Sequence, residues 1–247
     1  MLSLWRALSL ITLCCAVATA LSAQTAPLKT IEEVLAAFLE ENGGEEGVNQ
    51  VRSIRARGSI TMNGEKRALT LLRKRPNLKR ITVHLGDMRI HRGFDGENSW
   101  RMLEATDGRK QVTILEGEEK ERFEYDQSIF GLLFLTAEDG VEHKLNGVEY
   151  VGRIPAYVIE STYLGDMRRA YLDSRTLRVL KFEYKTDSDG ETSVVEKLSD
   201  YTRAGRVWVA RRSERFTDGE PSGFVELERI EINNGVFETI FSVPQVD

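Results

Sequence analysis

Three histidines, His84, His91 and His143, are the side chains of this 247-residue sequence best suited to metal binding or proton transfer. His84 and His91 are spaced to meet across a hairpin. None of the three sits in a His-Glu-x-x-His or two-His-plus-carboxylate spacing. The cysteines, Cys14 and Cys15, stand side by side inside an apolar N-terminal run. No Gly-x-Ser-x-Gly elbow, phosphate-binding loop or Gly-x-Gly-x-x-Gly turn occurs. Carboxylates are abundant, with Asp+Glu 39, but they alternate along the chain as solvated strand faces do. A glycosidase-type carboxylate pair drawn from distant positions stays open. The expectation is a protein that is not an enzyme, with no metal and no cofactor, whose working property is shape.

The apolar run belongs to a leader. "MLSLWRALSLITLCCAVATALSAQ" has one early charge, Arg6, then an apolar stretch and small residues. This is the pattern of a secretory signal over residues 1–23, cut after Ala20 or Ala23. An uncleaved anchor is the alternative. Leu13 stands where a lipoprotein signal needs a small residue before Cys14. Both cysteines are therefore expected to leave with the signal, and no disulfide is expected despite export to an oxidising compartment.

Residues 24–247 read as one domain, because no linker rich in Pro, Gly or Ser divides them. Without the leader, 33 basic residues face 39 acidic ones, a net charge of −6. Nine Lys or Arg fall between Glu65 and Arg92, against two acids. That basic stretch reads either as a face for an anionic partner or as solvated strand edges that discourage pairing. It lacks the interleaved aromatics of a nucleic-acid platform, so no nucleic-acid partner is expected.

The elements follow from periodicity. "TIEEVLAAFLEENGG" is a helix: Thr30 and Glu33 form a capping box, Ile31, Val34, Leu35, Phe38 and Leu39 a stripe, and Gly43–Gly44 a stop. Beyond it the period becomes two, as in "IRARGSITM" and "KRITVHL". Asn-Gly and Asp-Gly turns recur at short intervals, which implies consecutive hairpins. Eleven to thirteen strands are expected, too many for a flat sheet. In the last strand, Val225 and Leu227 hold one phase and Ile230 and Ile232 the other, which places a bulge near Glu228–Arg229.

One segment, "SIFGLLFLT" over residues 128–136, fits neither a strand nor a membrane span. Asp126 and Ser128 can cap a short helix there. A helix apolar nearly all round must be buried. It either plugs the open side of the sheet or lines a cavity that it opens and closes.

Particular residues add a resemblance. "KRPNLKRITV" (Lys74 to Val83) resembles the strand–turn–strand of the LolA family, periplasmic carriers of outer-membrane lipoproteins. "FDGENSWRM" (Phe94 to Met102) is similar to that family's Asp-Gly…Trp hairpin. "SIFGLLFLTAED" stands where the family has a short apolar lid helix. "YLDSRTLRVLKFEY" and "NNGVFETIFSVP" fit its C-terminal half, so the likeness runs from about Thr30 to Pro244. It implies a mainly β fold: an unclosed antiparallel barrel of about eleven strands, with an N-terminal helix and a lid helix over the opening.

The family's work would then be this chain's. A monomer in the periplasm would take acyl chains of lipoproteins from an inner-membrane lipoprotein-releasing ABC transporter and pass them to an outer-membrane receptor. The cavity-lining candidates are Ile54, Ile60, Leu69, Leu71, Ile81, Val83, Phe94, Trp100, Ile129, Phe130, Leu133, Phe134, Ile159 and Phe182. Arg75, before Pro-Asn, takes the position of the family's lid latch. The strand after Asn77 is more basic and less aromatic than the family form, which points to cargo other than the bulk lipoproteins. A lipid or lipoprotein sensor on the same fold is the second reading. Known sensors carry a further domain, for which this chain has little room.

Overall fold

The structure, a computed structural model, describes residues 28–124, 129–186 and 191–245. The leader, and the expected caps Asp126 and Ser128, lie outside the described residues.

Helix α1 spans Ile31–Glu41, and both halves of its capping box form: Thr30 Oγ1 accepts from the Glu33 N–H and Glu33 Oε2 accepts from the Thr30 N–H, each at 3.2 Å. The Lys29 and Thr30 amides hold the Glu33 carboxyl below its usual range. Gly43 ends the helix region at φ 88°, where a Cβ would stand 2.4 Å from Arg206 Cβ. Only glycine fits both demands. A second, unexpected helix, α2 (Gly44–Gln50), follows at once.

Thirteen strands form one antiparallel sheet. The first six, β1 (Ser53–Met62), β2 (Glu65–Lys74), β3 (Leu78–Leu85), β4 (Met88–Phe94), β5 (Ser99–Ala105) and β6 (Lys110–Ile114), make one meander. The other seven, β7 (Glu142–Val151), β8 (Ile154–Tyr163), β9 (Asp166–Asp173), β10 (Val179–Lys185), β11 (Ser193–Ala204), β12 (Val207–Thr217) and β13 (Glu220–Ile232), make a second. Pairing of β1 with β13 joins the two. The free edges are β6 and β7, so the sheet is not closed. The architecture is the expected open, mainly β one, with thirteen strands rather than about eleven.

The expected bulge is present. Arg57 faces Arg229 and Gly58 faces Leu227, which leaves Glu228 as the extra residue. A Cβ on Gly58 would lie 1.9 Å from Glu226 O, so the tight side of the bulge requires glycine.

This topology accounts for the greasy segment. β6 and β7 are consecutive in sequence but sit at opposite edges, so residues 115–141 must travel from one edge to the other. They carry helix α3 (Gly117–Glu124), a 3₁₀ turn at Leu132–Phe134 and another at Ala137–Asp139. The expected lid helix is therefore a single 3₁₀ turn. Gly131, at φ 101° and ψ 176°, is non-helical and stops helix from extending back through Ile129 and Phe130.

Candidate functional site

Residues paired across antiparallel strands point to the same face. Ile54 pairs with Arg73, Arg73 with Lys79, Lys79 with Phe94, and Phe94 with Ser99. Ile159, Ala170, Phe182 and Glu196 align likewise in the second meander. These rows form the inner face, and the two meanders use it differently.

In the first meander α3 lies on it. Phe123 packs with Phe94, Leu115 and Ile81. Arg92 and Arg101 pair with Glu119, the latter at 3.3 Å, and Ser99 Oγ donates to Glu124 at 2.6 Å. Lys79 Nζ stands 4.4 Å from the centre of the Phe123 ring. The charged run before the greasy segment is thus a helix packed on the inner face of β3 to β5. The "GEEKERFE" spacing held the signal, since acids open it and Lys120 and Glu124 pair at i,i+4.

The second meander keeps a cavity of about 310 Å³. Its walls come from β8 to β12, from Phe38 and Asn42 at the end of α1, and from Ile54 and Arg73 of the first meander; its roof is Ile129 to Phe134. Of the residues expected to line a cavity, Ile54, Ile129, Phe130, Leu133, Phe134 and Phe182 do so. Ile159, fully buried, packs beside the cavity in one cluster with Leu133 and Phe38. Ile81 and Phe94 lie under Phe123. Ile60, Leu69, Leu71 and Val83 share the inner face but belong to the first meander, outside the cavity lining.

Trp100 needs correction. It pairs with Gly93, one residue out of phase with Phe94, and so points to the outer face. There its indole N–H donates to Phe241 O at 2.8 Å, beneath a C-terminal strap. A Cβ on Gly93 would meet Trp100 Cζ2 at 2.2 Å, so the glycine makes room for the ring.

Sequence reading missed Leu198, Tyr201, Trp208 and Ala210 on the cavity wall. The β11 phase changes at Asp200 (φ 52°), between Leu198 and Tyr201, so simple alternation does not carry through.

The roof is a partition. On its other side a cleft of about 700 Å³ is lined by Val48, Asn49, Arg75, Pro76 and Asn77, together with Ile129, Phe130 and Phe134 again. Arg75, expected as a lid latch, bonds the C-terminal end of α2 and not the roof: Nε donates to Val51 O at 2.9 Å and Nη2 to Val48 O at 3.1 Å. Val48 and Val51 in turn pack with Ile129 and Ile54. Beyond the roof, His143 Nε2 lies 3.0 Å from Leu135 O and Nδ1 lies 2.8 Å from Ser161 Oγ. A neutral ring that donates from Nε2 and accepts at Nδ1 satisfies both.

The end of α1 is tied to the cavity wall. Asn42 Oδ1 accepts from the Trp208 backbone N–H at 3.0 Å, and its amide donates to Phe38 O at 2.8 Å. Tyr201 donates to Val179 O at 2.6 Å, and burial pushes its hydroxyl pKa up.

Five of the nine cations of the basic stretch are used inside the molecule, while Lys66 and Arg89 stay on the surface. Lys79 and Arg92 hold α3, Arg75 holds α2, and Lys74 and Arg80 donate to Val236 O and Ile240 O of the strap. His91 lies on the outer face, two residues out of register with His84 on the neighbouring strand, and its ring is taken up by Arg80, Thr82 and Glu104. Among the described residues no cluster of three His, Cys, Asp or Glu is placed to hold a metal. No described helix is long and apolar enough to cross a membrane.

No family model matches the chain, and no curated protein matches it in sequence. Solved structures do. A DUF1329 family protein from Desulfovibrio piger aligns at TM-score 0.58 and 14% identity, over 87% of this chain and 98% of its own. A putative outer membrane lipoprotein-sorting protein domain from Vibrio parahaemolyticus aligns at 0.58 and 15%, over 85% and 96%. A LolA superfamily protein from Nitrosomonas europaea aligns at 0.53 and 12%, over 87% and 98%. At such identities the likeness is one of fold, and the fold of this chain is LolA-like.

Proposed function

We propose that the protein is an exported, periplasmic, non-enzymatic carrier that shields acyl chains of lipoproteins or lipids and hands them towards the outer membrane. The observation that carries this reading is the apolar cavity roofed by a segment that the topology forces across an open sheet. Its neighbours among lipoprotein-sorting and LolA superfamily structures support it. Apolar walls bind chains by area burial, which does not discriminate one chain from another.

Size sets a condition. About 310 Å³ lies at the low end of the ~300–1,000 Å³ typical of ligand sites. A cavity of this size suits one chain, and larger cargo requires the roof to lift. Gly131, at φ 101° in the middle of the roof, is the point where the backbone has the freedom to hinge, against the packing of Ile129, Phe130 and Phe134 on either side. Arg75 acts as a positioning residue, steadying α2, against which the roof residue Ile129 packs. The carrier works as a monomer between an inner-membrane transporter and an outer-membrane receptor.

The test mixes the mature protein with inner-membrane vesicles that hold labelled lipoprotein. A carrier removes lipoprotein in proportion to its own amount. Binding that leaves the vesicle content unchanged would instead make it a sensor.

A further inference from the structure

Buried donors are paired in nine cases of ten or more, so an unpaired one needs a reason. Among the described residues three buried side-chain atoms have no partner. Two of them, Arg178 Nε and Trp208 Nε1, belong to residues that line the same cavity. They adjoin: the guanidinium carbon of Arg178 stands 3.7 Å from the centre of the Trp208 ring. No carboxylate among the described residues pairs with Arg178. A half-buried cation without a counter-charge is costly, and stacking on an indole offsets only part of that cost.

The rest of the wall offers Arg178 no counter-charge. Arg73 and Arg168 also line the cavity but are engaged elsewhere, and the one lining carboxylate, Glu196, already accepts from Ser213 Oγ at 3.2 Å, so Arg178 is the lining cation left unpaired. A hydrocarbon-only cargo has no use for an unpaired guanidinium beside an unpaired indole N–H in an otherwise greasy space. An acyl chain that ends in negative charge does: its chain fills the apolar part while its oxygens receive the idle donors. Arginine suits carboxylate and phosphate equally, through its planar fork.

We infer that the cavity selects acyl chains ending in an oxyanion, a carboxylate or a phosphate monoester, received at the Arg178–Trp208 stack. This rests on the carrier reading and narrows its cargo from any acyl chain to an anionic amphiphile.

The test displaces an uncharged fluorescent acyl probe from the mature protein with oleate, methyl oleate or oleoyl lysophosphatidate. Both anions are expected to bind about tenfold to a hundredfold tighter than the ester, the equivalent of a charge-assisted hydrogen bond. Arg178→Gln should erase that gap and leave methyl oleate unchanged, which also shows that the variant is folded. Arg178→Lys should restore part of it, and Trp208→Phe should lose a few-fold for the anions alone. Whichever anion binds tighter identifies the headgroup. If the ester binds the wild type as tightly as the anions, or if Arg178→Gln weakens all three alike, the inference fails and the carrier reading stands. If none of the three displaces the probe and the probe itself does not bind, both fail.

Discussion

Phe134 of the roof meets Phe38 of α1 at 4.8 Å between ring centres, with planes tilted by 55°. Phe130 meets Phe134 in turn at 5.3 Å. The N-terminal helix therefore clamps the crossover segment through aromatic contacts. Such pairs add about 0.5–1.5 kcal/mol beyond area burial, enough to favour closure and small enough for cargo to overcome. Phe134→Leu keeps most of the apolar area and removes the ring pair. Dissociation of a fluorescent fatty acid should accelerate by up to about tenfold, with little change in unfolding temperature, as stopped-flow and thermal melts would show.

Arg75→Leu deletes the donors to Val48 O and Val51 O. The loss should be about 1.5–3 kcal/mol for α2 docking, since the bonds involve a charge. The variant should fold and take up chains, but deliver them poorly, because a loosened roof no longer draws energy from reclosing. Arg75→Lys should rescue partly, lacking the planar fork. Delivery to acceptor vesicles at the wild-type rate would remove Arg75 from the mechanism.

Gly93→Ala tests the two-faced reading of the sheet. The new methyl would strike the Trp100 ring, and overpacking of this kind costs about 1–3 kcal/mol. Urea melts should show that loss. Affinity for acyl chains should stay unchanged, as it should for Trp100→Phe, because the indole lies on the outer face.

Acid should weaken the outer face. Burial, first of all, lowers the His91 pKa, against the opposing pull of Glu104. A histidine depressed in the folded state holds its contribution above the unfolded pKa of about 6.5 and loses it as pH falls below. Stability should therefore decline from pH 7 towards pH 5, and His91→Gln should flatten that part of the curve, read by chemical denaturation across the range.

Periodicity made much of this legible. The Thr30–Glu33 box, the phase slip at Glu228 and the hairpin meander all come from local rules: caps, alternation and turn residues. Trp100 did not, because alternation tells two faces apart without saying which is covered, and here the C-terminal strap buries the outer one. α3 was hidden for a related reason: its acidic face looks solvated until Arg92 and Arg101 are seen beneath it. The cavity's far wall at Tyr201 and Trp208 lies beyond the Asp200 irregularity, where counting by two fails. The role of "SIFGLLFLT" depends on long-range topology, which no local pattern encodes.

Carriage itself is tested most directly by native mass spectrometry of the mature protein, purified without detergent from the periplasm of an exporting host. Wild type should carry acyl lipid at up to one chain-bearing molecule per protein. Ala210→Trp, which fills the cavity from β12, should arrive empty while keeping its fold. A wild-type protein that is always empty and binds no fluorescent fatty acid, or an Ala210→Trp variant as fully loaded as wild type, would contradict carriage in this cavity.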